Sequence, residues 1–71
     1  MDPNQIFDLI VKADEKLKYA TAKQGDVRAQ QAADLLQEAL HEAEAIGNDG
    51  LVQQAKVRLA DLDALLGGAG S

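Results

Sequence analysis

At 71 residues, with a net charge of −5 and no cysteine, the chain has room for one small domain and none for a disulfide framework or a zinc–thiolate site. The acidic balance speaks against a nucleic-acid backbone or an anionic membrane as partner, since both call for clustered Lys and Arg. No apolar run nears the roughly 18 residues that span a bilayer.

A first helix is expected over about residues 3–23. Apolar residues recur at Ile6, Ile10, Ala13, Leu17 and Ala20, alternating steps of three and four, the period of one buried helix face. Asp2 suits the N-cap and Pro3 the first helical position, and Gln5 stands where a capping box wants Glu or Gln. Lys16, Lys18 and Lys23 fall near the C-terminal end, where cations meet the negative pole of the helix, and Gly25 reads as the stop. Met1-Asp2-Pro3-Asn4 has no basic stretch ahead of an apolar run, so no secretory signal is expected there and a cytoplasmic location is the default.

A second helix is expected over about residues 27–46, with Asp26 as N-cap and Gly47 just past the end. Its seam runs Ala29, Ala32, Leu36, Ala39, Ala43 and Ile46, and its outer face carries Asp34, Glu38, His41, Glu42 and Glu44. A third starts after Asn48 or Asp49 and covers about residues 50–66, with a seam of Val52, Ala55, Leu59, Leu62 and Leu66. The domain is thus expected over residues 1–66. The tail, Gly67-Gly68-Ala69-Gly70-Ser71, has the composition of a flexible linker or a cloning remnant. Short connections make successive helices antiparallel neighbours, and no alternating run suggests a strand. The predicted fold is all-α, an antiparallel three-helix bundle. Thirteen alanines and ten leucines promise strong helices around a thin core, because alanine favours the helix but buries little surface.

The segment Lys23-Gln24-Gly25-Asp26, followed by Ala32-Ala33-Asp34-Leu35-Leu36-Gln37-Glu38-Ala39-Leu40, resembles a tetratricopeptide repeat (TPR). In that family a turn of this kind joins helix A to helix B, with small and large apolar residues spaced beyond it. Ala32, Leu36 and Ala39-Leu40 match the second half of the repeat, and Leu17 and Ala20 match two positions of the first. Asp14 and Lys18 depart from it, standing where the repeat usually has a large aromatic residue and a glycine. The three-helix plan is also similar to the microtubule-interacting-and-trafficking (MIT) domain, and to a basic three-helix protein of the bacterial small ribosomal subunit, whose charge this chain lacks. A TPR-like or MIT-like domain implies binding of a protein or peptide and no catalysis. A single repeat does not bury its own face, so a self-contained bundle, an oligomer and an isolated or engineered unit all remain open.

Catalytic constellations are absent from the pattern. Glu38 and His41 have the Glu-x-x-His spacing of carboxylate-bridged metal sites, but both lie roughly opposite Leu36 on the helical wheel, where solvated polar residues belong. Gly25 and Gly50 lack the Gly-Lys-Ser/Thr of a phosphate loop. No enzyme activity, cofactor or metal is therefore expected.

Apolar residues away from the seams are the candidates for a partner surface: Val11, Tyr19, Leu35, Val57 and Leu65. Val11 and Val57 lie more than about 130° from their seam centres, and Phe7 about 100°. Phe7, Leu35 and Leu65 would either widen the core face or join a groove for an amphipathic helix. Lys12, Lys16 and Lys23 face one part of the surface, and Asp34, Glu38 and Glu42 another. The expected function is a non-enzymatic protein–protein interaction module, an adaptor or scaffold domain that takes a peptide or helix in an interhelical groove. The acidic rim Asp34, Glu38 and Glu42 would steer a basic partner. The alternative is a structural or engineered unit that pairs with a second copy of itself.

Overall fold

The computed structural model describes residues 1–18 and 25–66, with the side chains of residues 25, 26, 65 and 66 excepted. Three helices account for almost all of them: α1 (Pro3–Lys18), α2 (Gly25–Ala45) and α3 (Asp49–Leu66). The fold is an all-α three-helix bundle, with no strand among the described residues. Helix α2 is the middle member. It packs extensively against both α1 and α3, whereas α1 and α3 meet only sparsely. The start of α1 lies beside the end of α2, where the α-amino group of Met1 is 3.7 Å from Glu42 Oε2. None of the described helices is long and apolar enough to cross a membrane.

Local hydrogen bonds explain where the helices start and stop. The capping box at α1 is complete: Gln5 N–H donates to Asp2 Oδ1 at 2.9 Å and Asp2 N–H donates to Gln5 Oε1 at 3.0 Å. Pro3 occupies the first helical position, where its missing N–H costs nothing. Helix α2 ends in a Schellman motif: Asn48 N–H reaches the Ala43 carbonyl at 2.9 Å and Gly47 N–H reaches the Glu44 carbonyl at 3.1 Å. Gly47 makes this possible by adopting φ +70°, a region open to glycine and strained for side-chain-bearing residues. Asn48 then acts a second time, as the N-cap of α3, its Oδ1 accepting from Leu51 N–H at 3.1 Å. One glycine and one asparagine thus reverse the chain between two helices.

The core is thin and rich in alanine. Of the twelve buried apolar side chains among the described residues, seven are alanines: 13, 29, 32, 33, 39, 43 and 55. The large, fully enclosed side chains are Ile6, Ile10, Leu36 and Leu62. Leu36 is the single one on α2, set in a line of alanines that lets both neighbours approach closely. The predicted seams of α1 and α2 agree with the buried residues as far as Leu17, which is partly buried, and Ala43. Ala20 lies outside the described residues.

Four sequence-based expectations are corrected. Gly25 and Asp26 were expected to stop the first helix and cap the second, but both are helical residues of α2. A carboxylate is favoured throughout a first turn, so Asp26 alone does not mark a boundary. Ile46 is 41% exposed, because it lies beyond the last helical residue, in the turn. Phe7, at 50% exposed, does not widen the core. Finally, the buried line of α3 runs through Leu51, Ala55 and Leu62, with Val52 and Leu59 only partly buried beside it. The buried line is set by packing mainly against α2, and the partly buried Arg58, one turn from Ala55 and Leu62, is a cation that an apolar pattern passes over.

Candidate interaction groove between α1 and α2

Arg58 is where α3 meets α1. Its Nε lies 3.0 Å from Asp14 Oδ1 and 3.1 Å from Oδ2, and its Nη1 donates to the Gln54 carbonyl at 3.3 Å. The Arg58 side chain is partly buried, and its guanidinium spans the gap from α3 to the carboxylate on α1. Asp14 therefore marks the flank of α1 that faces α3.

Lys12 and Lys16 lie two residues either side of Asp14, each about 200° around the helix from it. They sit on the flank away from α3, and there α1 and α2 leave an open groove of about 400 Å³. Its lining, among the described residues, is Lys12, Glu15 and Lys16 from α1 and Arg28 and Leu35 from α2. A second recess of about 390 Å³ adjoins it, sharing Lys16 and Arg28 and adding Val27 and Gln31. Val27, Gln31 and Leu35 follow each other at steps of four along α2, a span of about 12 Å. Val27 is 61% exposed, and Leu35 is partly buried against the core. Lys12 also reaches Asp8 Oδ2, 3.2 Å away within its own helix. The groove gathers three of the chain's seven Lys and Arg residues around two apolar side chains.

The residues singled out from sequence do not converge on one place. Leu35 lines the groove. Val11 is partly buried, on the flank of α1 that carries Asp14. Val57 is 48% exposed, on the outer side of α3, as its angle predicts. Asp34 and Glu38 are exposed along the outside of α2, where Gln30 Nε2 donates to Asp34 Oδ1 at 3.4 Å. Glu42 stands at the far end, beside the Met1 amino group. Tyr19, Lys23 and the Leu65 side chain lie outside the described residues. Glu38 and His41 are both exposed, and among the described residues no three His, Asp or Glu side chains gather as metal ligands would. Sequence reasoning placed Lys12 and Lys16 on one surface but missed Arg28 and Val27 as their neighbours. The available signal was the i, i+4, i+8 series Val27, Gln31, Leu35.

The chain matches no protein-family model, no curated protein and no solved structure with which it was compared.

Proposed function

We propose that this domain is a non-enzymatic protein–protein interaction module, of TPR-like or MIT-like kind, that receives a peptide or helix from a partner in the groove between α1 and α2. The observation that carries the reading is the groove itself, with Leu35 on its α2 wall and long polar side chains on its rim, and the adjoining recess lined by Val27. Such a surface offers apolar anchor points spaced two helical turns apart, the spacing at which an amphipathic helix repeats its own anchors. Support for the repeat-like part comes from the arrangement of a hairpin, α1–α2, with a third helix laid mainly on α2. Asp14 departs from the repeat pattern, and its pairing with Arg58 supplies a local reason for the departure.

A second reading, self-association, is favoured by apolar side chains left on the surface: Phe7, Val27 and Val57 are each about half exposed or more. Sedimentation equilibrium over a wide concentration range separates the two. A monomer throughout is the expected result, because the four large core side chains are already enclosed within one chain. A concentration-dependent dimer would transfer the groove to self-assembly and overturn the adaptor reading.

A further inference from the structure

We propose that the peptide bond between Asp49 and Gly50 is a site of spontaneous rearrangement to isoaspartate, a covalent change that loosens the start of α3. The inference is independent of the groove. Asp49-Gly50 is the one Asp-Gly pair in the sequence. A glycine after an aspartate leaves the following backbone nitrogen uncrowded and its dihedrals free, so that nitrogen can reach the side-chain carboxyl before it. Here both reacting groups are exposed and neither is held. Asp49 makes no ion pair or side-chain hydrogen bond among the described residues. The Gly50 N–H falls in the first turn of α3, where the helix supplies no acceptor one turn back. The cap from Asn48 Oδ1 goes to Leu51 N–H instead. The other aspartates are protected. Asp8, Asp14, Asp34, Asp61 and Asp63 lie inside helices, so the N–H after each is tied to a carbonyl one turn back. Asp2 precedes a proline, which has no N–H, and Asp26 precedes the β-branched Val27.

In the first step the Gly50 nitrogen bonds to Cγ of the protonated Asp49 carboxyl. The Cγ–O bond breaks, and the hydroxyl leaves with the amide proton as water, closing a succinimide ring. Water then reopens the ring. Attack at Cγ restores aspartate. Attack at the former main-chain carbonyl breaks its bond to nitrogen and carries the chain on through Cβ and Cγ, one carbon longer, with the old carbonyl now a free carboxylate. Two hydrogen bonds span this peptide: Leu51 N–H to Asn48 Oδ1 at 3.1 Å and Val52 N–H to the Asn48 carbonyl at 3.0 Å. An extra backbone atom between donor and acceptor breaks both. Leu51, a buried residue of the core, then loses the cap that fixes its position.

The test is prolonged storage of the full chain in neutral buffer made with heavy-oxygen water. Peptide mapping with electron-based fragmentation and methyl transfer by an isoaspartate methyltransferase then read the product. The expected outcome is a methyl-accepting isoaspartate at residue 49 that carries heavy oxygen, with no comparable change at Asp61 or Asp63. Gly50→Ala should suppress the product and keep the fold, since the added Cβ has only Asn48 Oδ1 near it, at 3.5 Å. The separated isoaspartate form should melt about 4–8 °C below the parent, the loss of one helix cap in a domain this small. Product shared equally with Asp61 and Asp63 would overturn the assignment to the free Gly50 N–H. No product at residue 49 would show that the helix holds the nitrogen away from the carboxyl, and would overturn the proposal outright. An isoaspartate form that melts with the parent would overturn the loosening of α3.

Discussion

On the flank of α1 that carries Asp14, a third helix approaches and a carboxylate–guanidinium pair bridges the gap. On the flank that carries Lys12 and Lys16, an open channel runs between α1 and α2 instead. The same sixteen residues supply both sides. A small domain has one layer of apolar surface to share out, and here α3 is spent on one flank of the hairpin only. Charge differs between the flanks as well: Asp14 and Arg58 pair across helices on one, while on the other Lys12 pairs with Asp8 of its own helix and Lys16 lines the groove beside Glu15.

Breaking the closed side should have the largest effect. Leu36 is fully enclosed and is the single large side chain so placed on α2, so Leu36→Ala leaves a line of alanines facing both neighbours. We expect a loss of about 2–5 kcal/mol, against a total stability of about 4–10 kcal/mol for a chain of this size. Thermal or urea unfolding would read it, and a variant that melts with the parent would remove Leu36 from the centre of the bundle. Next comes the turn that lays α3 in place. Gly47→Ala meets no steric neighbour, since nothing lies within 4 Å of an added Cβ, so its cost is the backbone at φ +70° alone, about 1–2 kcal/mol. At about 4–8 °C per kcal/mol for a domain this small, a drop in Tm of that scale is expected.

Smaller changes sharpen the contrast. Arg58→Ala removes the bridge between α3 and α1, but the pair is partly exposed, so the cost should be under about 1 kcal/mol and should shrink as salt is raised. An effect independent of salt would mean that the arginine stem, packed along α3, matters more than its charge. Val57→Ala, on the outer side of α3, should leave Tm unchanged within about 0.5 kcal/mol. A clear destabilisation of Val57→Ala would show that this face is covered in solution, by a second copy or by a different docking of α3.

Much of the fold was legible because the signals were local or periodic. The Asp2/Gln5 box, the Gly47 stop and the Asn48 cap each depend on hydrogen bonds spanning a few residues, and the seams of α1 and α2 repeat one type of residue at one spacing. Where two influences met, the pattern misled. In α3 the buried residues Leu51, Ala55 and Leu62 leave out Arg58, whose partly exposed side chain becomes intelligible only with Asp14, 44 residues away, beside it. The groove is harder still. Leu35 and Lys16 each stand out as single residues, but their meeting depends on how α1 rolls against α2, and no short spacing encodes that angle.

The central claim is that α3 closes one flank of the hairpin and leaves the other open. Methyl-resolved NMR with a soluble paramagnetic probe tests it on the unmodified chain. The account predicts strong attenuation at Val57, intermediate attenuation at Leu35, and protection at Leu36 and Leu62. Leu62 attenuated as strongly as Val57 would mean that α3 does not seat as described, and Leu35 protected as fully as Leu36 would mean that the groove is closed in solution; either result would contradict the account.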